Sequence, residues 1–210
     1  MRARRARRTQ RANEIRDATP KVHGVVDLPV NPQVGAPQAQ INIGDSMQYM
    51  KLNTAQREEL LASLDSMSEY LREGFAVLSP EQARTPGPDG AFSPVEQVWH
   101  LADLEREGFE VRIRRLLTEP EPHLPDFDGT KIAAERNYRS LSLEEGILAF
   151  TEARRKNIAA LSAIDSAMWS RSGAQEGVGS VSLCDIPHFM HQHDSAHRAE
   201  IEAWINSVVR

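Results

Sequence analysis

The sequence predicts an all-α fold, a four-helix bundle, on three observations. Four segments of roughly 20 residues place apolar side chains at spacings of three and four, the period of a helix with one face in a core. Several of these segments open on recognisable helix caps. No stretch alternates apolar and polar residues with comparable strength, and no repeat or coiled-coil heptad series is present.

The first helix is expected from Asn53 or Thr54, with Asn53 as N-cap and Gln56 three residues on in a capping-box pattern. Leu60, Leu64, Met67, Leu71, Phe75 and Leu78 form its core face, and Ser79-Pro80 ends it. Two prolines and two glycines between Thr85 and Phe92 then break regular structure. The second helix opens at Ser93-Pro94-Val95-Glu96, a capping serine, a proline at the first helical position and a glutamate that reaches back to the cap. It runs to about Leu117. Its main stripe is Val95, Val98, Trp99, Ala102, Phe109, Ile113 and Leu116, while Leu101, Leu104 and Val111 form a second apolar sector flanking His100. The main stripe does not contain His100, so periodicity alone does not select it, although a helix apolar on two sides is one packed between neighbours.

Residues 118–140 form a long connection, proline-rich at first, with a short helix expected around Lys131 to Tyr138. Connections this long in a compact domain often close over a site, which makes Arg136 and Tyr138 candidate specificity residues. The third helix starts at Ser142, with Glu145 completing a capping box and Leu143, Ile147, Phe150, Ile158 and Leu161 facing the core. Arg154 shares that face. A buried guanidinium needs either a carboxylate partner or an anionic ligand. A Gly/Ser-rich link, Arg171 to Ser182, leads to the last helix, expected from Ser182 or Asp185 with Pro187 tolerated in its first turn.

Charge is unevenly spread. Residues 1–21 hold eight basic and two acidic residues, leaving 17 basic and 28 acidic downstream, a net of −11. A body that acidic repels a phosphate backbone, which argues against nucleic acid as a partner of the folded part, whatever the Arg-rich start does. Residues 1–50 are expected to be a disordered basic and Pro-rich extension, with a short strand from Val22 to Val30 as the exception, and residues 51–210 to be the bundle. A start at Met47 or Met50 is the mundane rival explanation of the extension. A lone cysteine, Cys184, excludes an internal disulfide and suits a reducing, cytoplasmic compartment. No apolar run approaches the roughly 18 to 20 residues that a membrane helix needs.

The chemistry concentrates in the last helix, which carries four of the seven histidines: His188, His191, His193 and His197. Positions four apart stack on one helical face, so His193 and His197 can offer two imidazoles to one ion. Phe189, Ala196, Ile201, Trp204 and Val208 are read as sharing their stripe, aiming the pair inward. The His-Glu-x-x-His protease pattern is excluded, because Gln192 and Asp194 flank His193. His188 and His191 fall off the chelating face, His123 lies in a proline-rich loop and His23 in the N-terminal extension. Cys184 reads as a packing residue, and Glu96 as a cap.

Two stretches, Ser93 to Asp103 (SPVEQVWHLAD) and Ser182 to Pro187 leading into His193 to Ile201, resemble the DinB/YfiT-like family of metalloenzymes, across about residues 54 to 208. The resemblance implies a four-helix bundle of DinB/YfiT type that holds one divalent ion through His100, His193 and His197. It resolves the doubt over His100. Zinc or nickel, with iron or manganese behind them, suits such imidazole ligands, and three protein ligands leave a position open for water or substrate. Some relatives are classed as metal-dependent hydrolases, and others activate a low-molecular-weight thiol for transfer to a small-molecule electrophile. The resemblance therefore implies a hydrolase or thiol transferase, with a homodimer and a non-enzymatic metal-binding bundle as further readings. Candidate catalytic residues are Glu200, where many relatives carry glutamine, with Asp103 and Arg154.

Overall fold

The structure, a computed structural model, describes residues 48–175 and 177–208. The Arg-rich start, the expected Val22 to Val30 strand, His23 and Met47 lie outside the described residues.

A short helix α1 (Gln48–Lys51) precedes the four long elements: α2 (Thr54–Phe75), α3 (Pro94–Asp103) continuing into α4 (Glu110–Thr118), α6 (Leu143–Ser162) and α7 (Ile186–Val208). A short helix of about two turns, α5 (Gly129–Arg136), lies in the long connection. The capping boxes at Asn53 and Ser93 form as expected, and at Ser142 only the serine half does, its hydroxyl accepting from the Glu145 N–H. Asn53 and Gln56 exchange side chain-to-backbone hydrogen bonds of 2.9 and 3.0 Å, and the Glu96 carboxylate accepts from the Ser93 N–H and hydroxyl. α6 packs on α2 and α3, and α2 also packs on α7. No helix among the described residues is long and apolar enough to cross a membrane.

Three departures from the sequence reading shape the molecule. The Gly/Ser-rich link is a β-hairpin, β2 (Ser172–Gln175) and β3 (Gly179–Ser182), and β1 (His123–Leu124) pairs in parallel with β2. Short strands of glycine and serine carry no alternating pattern. Their stability comes from pairing and from Leu124 and Val181 buried against the bundle. Gly173 is required there, since a Cβ would lie 2.4 Å from the Pro122 carbonyl oxygen.

The second departure lies inside the second long helix. Leu104–Phe109 is wound as a π-helix between α3 and α4, with the Glu110 N–H bonded to the Glu105 carbonyl five residues back. The third is the inward face of α7. Its buried line is Met190, Asp194, His197, Ile201 and Trp204, while Phe189 and Ala196 are only half-buried. An aspartate holds a core position because Arg154 of α6 meets it there.

That meeting joins α6 to α7, to the π-turn and to α2. Arg154, 1% exposed, donates to both oxygens of Asp194 at 2.6 and 2.8 Å, to Glu105 at 2.9 Å and to the Leu64 carbonyl at 2.9 Å. Asn157 donates to the other Glu105 oxygen at 2.8 Å and to the Glu105 carbonyl at 3.0 Å. Burial alone would push the Glu105 carboxyl up and the Arg154 guanidinium down. The opposed charges hold Arg154 protonated. The sequence requirement for a carboxylate partner is met twice over, by residues on α7 and in the π-turn.

Removing one member leaves the others buried without compensation, which costs more than the intact network contributes. Arg154→Met should lose about 3–5 kcal/mol of unfolding free energy, measured by urea denaturation. The exposed Arg72, which pairs with Glu69 on the surface of α2, should lose less than about 1 kcal/mol on the same change.

Candidate metal centre

α3 and α7 bring three imidazoles together. His100 Nε2 lies 3.4 Å from His193 Nε2, which lies 3.2 Å from His197 Nε2, and one nitrogen from each ring falls within 4.8 Å of the others. Among the described residues this is the one group of His, Cys, Asp and Glu side chains with metal-holding spacing. His100 and His197 are buried and His193 is half-buried, so His193 is the member nearest the surface.

The residues around the cluster fix its rings. Phe92 and Phe127 pack on the His100 ring with centroids 5.5 and 5.9 Å away, and Phe109 packs edge-on against His193 at 6.5 Å. Gly129, at the start of α5, presses on His100 so closely that a Cβ would sit 2.3 Å from Cε1 and 2.5 Å from Nδ1. The Asp-Gly pair 128–129 reads in sequence as a turn. Its function here is to let the backbone approach an imidazole.

His197 is oriented by a polar pair. Its Nδ1 bonds to Gln97 Oε1, Gln97 Nε2 donates to Glu200 Oε2 at 2.8 Å, and that carboxylate oxygen is 3.1 Å from His197 Nδ1. Since the Gln97 oxygen and the carboxylate only accept, the proton sits on Nδ1 and the Nε2 lone pair points at the cluster. Gln97 precedes His100 by one turn on α3, and Glu200 follows His197 by one turn on α7. Sequence reasoning missed Gln97, although a polar residue between Val95 and Val98 was a usable signal.

Electrostatics favour neutral rings. Burial, with the neighbouring His197, pushes the His100 imidazole well below its ordinary 6.5, and burial with the other two histidines, Arg154 and Arg112 does the same to His193. The donor set, three imidazole nitrogens drawn together from two helices, fits a divalent ion.

The other sequence candidates lie elsewhere. Asp103 is buried with its carboxylate occupied by Tyr138 at 2.5 Å, Arg106 at 2.5 Å and Arg136. Arg136 also pairs with Glu107, and burial, then Asp103, keeps the Tyr138 hydroxyl protonated. This second network fastens the 129–138 segment over α3. Arg154 faces Asp194 and Glu105 as described, so of the three candidates Glu200 alone contacts the histidine cluster. His191 bonds Ser63 at 2.9 Å on the surface, and Cys184 is fully buried in the core beside Leu183 and Ile186.

Gly129→Ala should displace the His100 ring and weaken zinc binding by at least about tenfold while helical circular dichroism is retained, and Gln97→Leu should cost about 10–100-fold in zinc affinity. The metal-free protein should also be acid-sensitive. His100 and His193 resist protonation when folded but not when unfolded, so the unfolded chain binds more protons below pH 6.5. Stability should be full above that value and decline as pH falls through the window below it. Urea midpoints at about pH 7.5 and about pH 5.5 measure this, and His193→Ala should shrink the difference.

The sequence profile of the DinB superfamily matches residues 54–201. Among curated relatives, a protein of Geobacillus thermodenitrificans named "Putative metal-dependent hydrolase" is 32% identical over 91 residues, 43% of this chain and 51% of that protein. One of Geobacillus kaustophilus with the same description is 24% identical over 160 residues, 76% of this chain and 89% of that protein. The chain thus spans about half the length of the first of these relatives and most of the second. Among solved structures, YfiT from Bacillus subtilis, described as "a probable metal-dependent hydrolase with an unusual four-helix bundle topology", superposes with a TM-score of 0.68 at 18% identity, over 74% of this chain and 89% of that one. That likeness is one of fold. Because the matched profile runs across both histidine-bearing helices and well over half of the sequence, the chain belongs to the DinB superfamily.

Proposed function

We propose that the chain is a divalent-metal-dependent hydrolase of a small molecule, with His100, His193 and His197 as metal ligands. The observation that carries this reading is the convergence of three imidazoles from two helices, one ring nitrogen of each within 4.8 Å of the others. The names of the curated relatives support the reaction class. A divalent ion there would supply Lewis acidity, lowering the pKa of a coordinated water or thiol toward neutrality. Zinc and nickel suit the all-nitrogen ligand set best.

The protein's own contribution is orientation and charge. Gln97 and Glu200 hold His197 in the Nδ1–H tautomer, and the Glu200 carboxylate offsets positive charge at the cluster. Glu200 is half-buried, and its carboxylate, 3.1 Å from His197 Nδ1, is our candidate for proton exchange at the site's edge. Asp103 and Arg154 act by position: one fastens the 129–138 segment, the other locks α7 against α6 and the π-turn.

Protein purified without chelator should contain about one divalent ion per chain, and His193→Ala should lose it with its fold retained. The metal-loaded protein should hydrolyse members of an ester and amide panel, an activity absent from His193→Ala. Turnover only when a low-molecular-weight thiol is supplied would redirect the reading to thiol transfer. A metal-free native protein that melts like the variant would sink both in favour of a binding module.

A further inference from the structure

Two arginines are buried in the bundle, and their hydrogen bonding differs. Arg154 faces two carboxylates, Asp194 and Glu105, and also donates to the Leu64 carbonyl. Arg112 of α4, 6% exposed, has no carboxylate within ion-pair distance among the described residues. Its Nε and Nη2 both donate to a single acceptor, the Pro125 carbonyl, at 3.4 and 3.2 Å, and its Cζ lies 5.8 Å from the centre of the Phe109 ring. The nearby acid is Asp126, exposed on the loop and acting only at longer range. The Pro125 carbonyl therefore occupies the side-on edge of the guanidinium. The end-on edge, Nη1 with the second hydrogen of Nη2, has no partner among the described residues, and Nη1 is not sealed from solvent as Arg154 Nε is. That edge is the fork that receives a carboxylate through two parallel hydrogen bonds.

The position of this fork follows from the π-turn. Twelve residues of uninterrupted α-helix would set Arg112 about 120° around the axis from His100, at about 100° per residue. The π-turn at Leu104–Phe109 absorbs about one residue, which reduces the offset to about 20°. Arg112 and His193 also pack on the same Phe109 ring. A buried guanidinium without a counter-ion is costly, and the surroundings here hold it in place and leave its carboxylate-binding edge open.

We propose that Arg112 is a specificity residue that binds a carboxylate of the substrate, so that the enzyme acts on small carboxylate-bearing molecules whose reacting group lies at the three histidines. The inference rests on the metal-site reading above and assigns to Arg112 the anion-holding role that the sequence suggested for Arg154.

The test uses the full chain loaded with cobalt(II), whose thiolate charge-transfer absorption reports ligand binding directly. Thioglycolate, mercaptopropionate and mercaptobutyrate are titrated beside the matching mercapto-alcohols, which present the same sulfur without the carboxylate. At one chain length or more the acid should bind about tenfold more tightly than the alcohol, as expected for a charge-assisted hydrogen-bonded pair. Arg112→Gln should abolish that preference and leave alcohol binding unchanged. Arg112→Lys, which keeps the charge without the fork, should retain only part of it, and this variant decides the matter if the glutamine variant does not fold. Absence of a preference at every chain length, or an undiminished preference in the variants, overturns the proposal while the metal site stands. Failure of cobalt to bind through the three histidines overturns both.

Discussion

The buried Arg154 guanidinium, clamped between Asp194 and Glu105, is the constraint on which the rest of the arrangement depends. It ties α6 to α7 through Asp194, the residue directly after His193, and to the π-turn through Glu105, five residues after His100. The Leu64 carbonyl adds α2. An apolar core of the same volume would hold these helices together as firmly, since buried ion pairs contribute little net stability. An apolar core could slide or rotate, however. A bidentate pair has one geometry, and it fixes how the two histidine-bearing helices face each other.

Around that clamp the cluster is built from groups that are uncharged or already neutralised. The imidazoles of His100 and His193 are kept neutral by burial, and His197 is turned by Gln97 and Glu200 so that its lone pair faces inward. Asp103 is removed from the site's chemistry by Tyr138, Arg106 and Arg136, and its negative charge serves to hold the 129–138 segment over His100. Of the buried charged groups around the site, the Arg112 guanidinium stands apart in having a carbonyl and an aromatic face but no counter-ion.

Much of this was legible in the sequence because it depends on local rules. The caps at Asn53, Ser93 and Ser142, the four amphipathic stretches and the stacking of His193 on His197 all follow from spacing within one turn. Long-range facts were not legible. Periodicity left His100 off the main stripe, and the resemblance to DinB/YfiT-like proteins, rather than any local pattern, selected it. Arg154 announced its need for a carboxylate, but nothing local identified Asp194 or Glu105. The hairpin at Ser172–Ser182 escaped notice because glycine and serine strands are stabilised by what they pair with and cover. The π-turn left no compositional mark, although Gly108 within it packs closely: a Cβ there would come 2.6 Å from Leu104 Cδ1, which would have to shift.

That turn has a consequence for how this chain tolerates change. Because one surplus residue is stored in Leu104–Phe109, α4 keeps the phase it would have after a regular helix one residue shorter. Deleting one residue there would restore a regular α-helix and leave α4 facing the same way, whereas rewinding the turn at full length would spin every side chain on α4 by about 100° relative to α3. Only the second change would present the wrong side of the downstream half to its neighbours. The width of the turn, and not its composition, is what lets the chain carry the extra residue.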